Sequence, residues 1–140
     1  MSNDDIFTLE RNCTDVSSNT TNLIHTTSTN KYIFNHYKTN DGRDIIESTI
    51  MVPKHPWLFK FGLSSTLVNK AVASIIYEDG FIYRLHTLTQ YRNNGHAKAL
   101  LNESIQRMTN DKCTNIRLCS FVHLIQFYKK FGFECVSNGI

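Results

Sequence analysis

Residues 85–101 read LHTLTQYRNNGHAKALL, and this junction decides how the rest of the chain is read. An apolar, strand-like run gives way to a helix, with Arg92 three residues ahead of the lone Gly95. A strand that turns directly into a helix leaves the first backbone N–H groups of that helix without intrahelical acceptors. With the helix dipole behind them, those donors suit a phosphate or another anion. Close approach of backbone to ligand favours Gly at 95 and a small residue, Ala97, two positions on. Arg92 adds a charge-assisted donor at the mouth of the turn. The stretch is neither a Walker loop, which needs Gly-Lys-Ser/Thr, nor a Rossmann loop, whose glycines are missing. A turn that merely needs Gly95 and packs Ala97 explains the residues equally well.

Outward from the junction, KAVASIIYE (70–78) and FIYRLHTL (81–88) are β-rich runs joined by Asp79-Gly80, the strongest short-range hairpin signal. Ahead of them, WLFKFGLSS (57–65) alternates and reads as a further strand. After the junction, Ala97, Leu101, Ile105 and Met108 form an apolar helical stripe. NIRLCS (115–120) is a strand, HLIQFYKKF (123–131) a helix stopped by Gly132, and FECVS (133–137) a last short strand. The first half is less sharp. IFTLER (6–11) reads as a strand, Thr14 or Asp15 can cap a helix starting near Val16, and SSNTTNLIHTTSTN (17–30) is a tertiary-held helix or a loop. TNDGR (39–43) is a turn, DIIESTIMV (44–52) is helix or strand, and Pro53 and Pro56 break the chain. The order implies a mixed α/β domain: strand, helical region, three-strand meander, helix, strand, helix, strand.

The 140 residues suit one domain. A net charge of +3 without a Lys/Arg-rich run argues against a nucleic-acid partner, and the only basic pair, Lys129-Lys130, fits a solvated helix end. No stretch approaches the ~18–20 apolar residues of a membrane span, so no membrane partner is expected. The N-terminus, MSNDDIFTLE, lacks the features of a secretory signal. Cys13, Cys113, Cys119 and Cys135 lack C-x-x-C spacing and do not combine with the six histidines as metal ligands. They read as reduced thiols of a cytoplasmic protein with no metal, Cys119 and Cys135 lying in strands.

The segment LHTLTQYRNNGHAKALL resembles the passage from the fourth strand into the third helix of the GNAT superfamily of N-acetyltransferases, whose signature is Q/R-x-x-G-x-G/A. Arg92, Gly95 and Ala97 fall on the signature positions. LCSFVHLIQFYKKFGFE (118–134) resembles the family's later strand-helix-strand segment ending in F-Y-x-K-x-G-F, matched by Phe127, Tyr128, Lys130, Gly132 and Phe133. IFTLERNCTD (6–15) is more weakly similar to the family's first strand and helix start. The resemblance covers residues 68–136 well. It implies a single GNAT-like domain over 1–140, with 1–67 on the acceptor side and 68–136 as the acetyl-CoA-binding core.

What the resemblance implies is specific. The sheet splays in a V between its fourth and fifth strands, with helices on its flanks and acetyl-CoA in the split. The pyrophosphate rests on Arg92, Asn93, Asn94, Gly95, His96 and Ala97, with Lys98 at the edge. The pantetheine arm runs along His86, Thr87, Leu88 and Thr89. Tyr128 falls where the family's tyrosine protonates the departing CoA thiolate, a role a phenol can fill because it is protonated at neutral pH. On the residues alone, Tyr128 reads as well as a core aromatic beside Phe127 and Phe131. The amine's base stays open among His86, Glu78, Glu47 and His123. The loop Asn93-Asn94-Gly95-His96 has fewer glycines than many relatives, and Asn tolerates the left-handed angles the turn needs. The family's seventh strand, which pairs with the fifth or sixth, has no counterpart after GFECV, so an open edge is expected to pair with a second copy.

The implied activity is direct transfer of acetyl from acetyl-CoA to a primary amine on a small molecule or on a protein lysine or N-terminus. Cys119 keeps a covalent route open. Asp41, Asp44 and Glu47, read as bordering the acceptor in the helical region, favour an amine-rich acceptor or are simply a solvated face. The competing reading is an inactive GNAT-fold binding or inhibitor protein that retains CoA.

Overall fold

The structure is a computed structural model that describes residues 6–12, 27–28 and 32–138. The helix expected near Val16 and Cys13 lie outside the described residues. The described strands are β1 (Ile6–Asn12), β2 (Thr27–Ser28), β3 (Ile33–Lys38), β4 (Asp44–Pro53), β5 (Leu67–Glu78), β6 (Phe81–Thr87), β7 (Asn115–Phe121) and β8 (Glu134–Asn138). The helices are α1 (Pro56–Lys60), α2 (His96–Asn110) and α3 (Ile125–Lys129). The strands form one mixed sheet in the order β2-β3-β4-β5-β6-β7-β1-β8. Every pair is antiparallel except β6 with β7.

Local chemistry accounts for most elements. Asp79 and Gly80 both have positive φ, 49° and 81°, and close the tight β5–β6 hairpin. DIIESTIMV resolves as strand, since its Ile, Thr and Val side chains are stiff at χ1 and pack well on a pleated face. The region around Asp41, Asp44 and Glu47 is therefore a β3–β4 hairpin rather than helical. Thr27–Ser28, inside the stretch read as helix or loop, is a short strand on β3. WLFKFGLSS is not a strand: Pro56 stands in the first turn of α1, where its fixed φ and missing N–H suit a helix start. Gly62, at φ +71°, lies in the turn beyond it.

The N-terminal strand resolves the question of the missing seventh strand. β1 lies between β7 and β8, pairing Leu9 with Leu118 on one side and with Cys135 on the other. The strand from the start of the chain thus fills the slot beside the family's fifth and sixth strands. On that side the described sheet ends at β8.

Helix α2 packs on β4, β5 and β6. Leu100, Leu101, Ile105 and Met108 enter a core shared with Phe34, Ile46, Ile75, Ile82, Ile116, Leu118 and Phe133. A polar bridge runs from this helix to the hairpin. Arg107 Nη1 donates to His36 Nδ1 at 3.0 Å, and His36 Nε2 donates to Asp44 Oδ1 at 2.8 Å. Among the described residues no helix is long and apolar enough to cross a membrane.

Candidate functional site

Strands β6 and β7 pair only over Phe81–Arg117 and Ile82–Leu118, then diverge. The cause is a bulge. β5 pairs Ile76 with Arg84 and the next residue, Tyr77, with Ile82, which leaves Tyr83 as the extra residue. Before the bulge, Gly80 C=O accepts from Arg117 N–H at 2.7 Å, holding the two strands together. Beyond it the parity is reversed. Leu88 N–H donates to Val72 C=O at 2.9 Å, so by antiparallel alternation Thr87 and Leu85 turn their backbone groups toward the opening. The V-shaped splay is present, and two backbone N–H groups of β6 face into it.

The turn at the end of β6 closes the wide end of the split. A 3-10 turn at Thr89–Tyr91 leads to Arg92, and Asn93 and Gly95 take left-handed angles, φ +66° and +83°. The tolerance expected of Asn is used at 93. The first helical bond of α2 runs from Ala99 N–H to Gly95 C=O at 3.0 Å, so the N–H groups of Ala97 and Lys98 precede the ladder.

The loop is fastened from below by residues the sequence did not single out. Tyr32 Oη donates to Asn94 C=O at 2.6 Å, and its ring meets the His96 ring edge-on at 5.2 Å. His96 Nδ1 lies 2.8 Å from Ser48 Oγ, both residues being buried. A Cβ at Gly95 would collide with the Tyr32 hydroxyl. His96 thus serves chiefly as an inward anchor. Nothing near the loop in sequence announces Tyr32 or Ser48, because their partners stand 62 and 48 positions away.

A cleft of about 550 Å³ occupies the opening. Leu85 and Thr87 line it from β6, Arg92, Asn93, Gly95, His96, Ala97 and Lys98 from the loop and α2, and His123, Leu124, Phe127 and Tyr128 from the α3 side. Arg92 Nε comes within 3.5 Å of Thr87 C=O across the mouth. His86, Leu88, Thr89 and Asn94, also expected at the cofactor, are not among its lining residues. His86 alternates with Leu85 and Thr87, so it faces the opposite side of the sheet, and the Leu88 N–H is spent on β5. A second concavity of about 470 Å³ on the outer side of α2 gathers Arg11, Lys98 and Lys130.

Tyr128 is 8% exposed, packed edge-on against Phe127 and Phe133, and burial pushes its phenol above its ordinary pKa. It is thus an aromatic of the core that also lines the cleft. Of the four candidate bases, His123 lines the cleft. Glu78 sits at the hairpin, 3.9 Å from Arg43, and Glu47 lies beside Tyr37 on the β3–β4 hairpin. The acidic cluster does not border the cleft. Asp44 pairs across β5 with the Tyr77 end of the meander, whereas the Arg92 loop adjoins the Val72 end. Asp44 is held by His36 and Lys38, and Asp41 lies 3.9 Å from Arg43.

A family model described as an acetyltransferase (GNAT) domain matches residues 63–140, which include the bulged strand, the loop, α2 and Tyr128. No curated protein matches the chain.

Proposed function

The chain belongs to the GNAT acetyltransferase family, and from that premise we propose that it transfers an acetyl group from acetyl-CoA to a primary amine in the cytoplasm. The observation that carries this reading is one cleft lined by both the Arg92–Lys98 loop and Tyr128. The donor set fits the cofactor. N–H groups at the start of α2 and the Arg92 guanidinium suit a pyrophosphate, and the left-handed turn at Gly95 brings backbone to the surface. Lys98, with Lys130 and Arg11 outside it, supplies cationic surroundings for the outer phosphates. The N–H groups of Thr87 and Leu85 offer the pantetheine amides, and then the thioester oxygen, partners that β7 has given up.

In this mechanism the amine nitrogen attacks the thioester carbonyl and a C–N bond forms. Negative charge moves to the carbonyl oxygen, where a β6 N–H stabilises it. Collapse breaks the C–S bond, and the Tyr128 hydroxyl hands its proton to the departing thiolate. The proton released by the amine goes to water or to His123, the imidazole on the same cleft. The acceptor amine belongs to a small molecule or to a protein lysine or N-terminus.

Calorimetric titration with acetyl-CoA, wild type against Ala97→Glu, tests the reading. A carboxylate in the first turn favours the helix itself but stands against the pyrophosphate. Micromolar binding by the wild type, weakened at least tenfold in a variant of undiminished thermal stability, places the cofactor at the loop. Equal binding by both proteins, or none by either, overturns it. Binding without turnover on a panel of amines, protein N-termini included, marks an inactive binding protein instead.

A further inference from the structure

The turn between β4 and β5 exposes the side chains a globular protein usually hides. Trp57 is 70% exposed, Phe61 63%, Leu63 70% and Phe59 45%, and α1 buries none of its residues. At the adjoining strand ends Met51 and Leu67 are exposed on one face of the sheet and Val68 on the other. Trp57 and Phe61 touch each other, ring centroids 5.7 Å apart. Clustered exposed apolar side chains of this kind mark an interaction site.

Charge selects the occupant. Between Glu47 and Glu78 the sequence holds no acidic residue, while Lys54, His55, Lys60 and Lys70 stand in or beside the apolar surface. A symmetric contact with a second copy would set these cations against each other. The complementary surface is anionic and apolar together. The aromatic and aliphatic side chains stand out on a turn, and Leu63, Leu67, Val68 and Met51 cannot stack on bases as nucleic acid would require. A bilayer interface accepts protruding Trp, Phe and Leu without a matching groove, and lysines beside them meet anionic headgroups. We propose that the Pro56–Leu63 turn docks the protein on the surface of a membrane rich in anionic lipid. The contact is peripheral and requires no spanning helix. Lys70 lies 5.5 Å from the Tyr91 ring, and Tyr91 lines the cleft, so the basic residues beside the turn continue to the mouth of the cleft. The proposal does not depend on the acetyltransferase reading.

The single tryptophan, Trp57, is a built-in reporter. The full chain is sedimented with vesicles of phosphatidylcholine alone or with ~30% phosphatidylserine, and Trp57 emission is followed in parallel. The expected result is binding to the anionic vesicles only, with emission moving to shorter wavelength. Phe61→Ala/Leu63→Ala is expected to weaken binding at least ~tenfold. Lys54→Gln/Lys60→Gln should weaken it by roughly fivefold per lysine, and added salt should weaken the wild type. All four side chains are exposed, so both variants should melt with the wild type. Absence of sedimentation, binding without a Trp57 shift, or equal binding by the apolar double variant overturns the proposal. A Trp57 shift with single-stranded oligonucleotide or an acidic peptide, but not with vesicles, overturns it in favour of those partners.

Discussion

Two connections serve the same end of the sheet, and they are built in opposite ways. The loop from Leu88 to Gly95 is polar on its surface, but it is pinned from beneath by Tyr32, by the buried Ser48–His96 contact and by a glycine with no room for a side chain. The turn from Lys54 to Thr66 is apolar on its surface and ties itself mainly to its own backbone, as in Leu63 N–H to Leu58 C=O at 2.8 Å. The first arrangement spends buried polar contacts to hold backbone donors in one geometry, as recognition of a fixed anion demands. The second leaves its hydrophobic area unspent, as recognition of a soft, adaptable surface allows. Polarity at the surface is thus a poor guide to function here; what lies beneath it is informative.

Changes in the pinned region should be felt strongly, starting with the cleft. Tyr128→Phe is expected to lower turnover about a hundredfold or more, while acetyl-CoA affinity by calorimetry moves less than twofold. Turnover unchanged by that substitution would leave Tyr128 as packing alone. Ser48→Ala should cost about 1–3 kcal/mol, because it strips a partner from a buried imidazole nitrogen. Urea unfolding reads that loss, and weaker acetyl-CoA binding would show that the pin serves the loop.

The core also carries a pH signature. Burial, with the Asp44 charge second, pushes the Tyr77 phenol well above its ordinary pKa, and burial raises Tyr128 too. The unfolded chain ionises these groups near pH 10 and the folded chain only above that. Their contribution is present in full below pH 10 and is lost as pH rises from there toward the folded values. Thermal melts from pH 9 to 11 should fall steeply, and Tyr77→Phe should flatten the fall. At the unpinned turn the expected effect is smallest. Trp57→Ala should shift stability by no more than about 0.5 kcal/mol, and a larger loss would mean that the turn is part of the core after all.

Legibility in the sequence follows the range of the forces involved. Asp79-Gly80, Gly95 and the α2 stripe are local signals, and each produced the hairpin, the left-handed turn and the buried face expected of it. The β6–β7 splay came from the family resemblance rather than from any single residue. WLFKFGLSS misleads because Trp57, Phe59, Phe61 and Leu63 alternate as a strand would, while Pro56 sets a helix start that alternation does not register. DIIESTIMV is ambiguous because its apolar residues fit both periods, and only pairing with β3 and β5 decides it. Tyr32 and Ser48 were invisible as site residues because their roles exist only once distant segments meet. IFTLER was readable as a strand, yet nothing within it says that its partners lie more than a hundred residues later.

That last feature bears on how the molecule comes into being. Residues 6–12 leave the ribosome about a hundred residues or more ahead of their partners at 115–121 and 134–138, so the far side of the sheet cannot close until those partners have been made. Until then Phe7 and Leu9 have no core to enter, and β7 and β8 share no common neighbour. Contacts of such long sequence separation form slowly. An early-made strand awaiting its slot is also a strand that can be supplied from outside: a synthetic IFTLERN peptide could complete a chain lacking its own, by adding itself between two waiting edges.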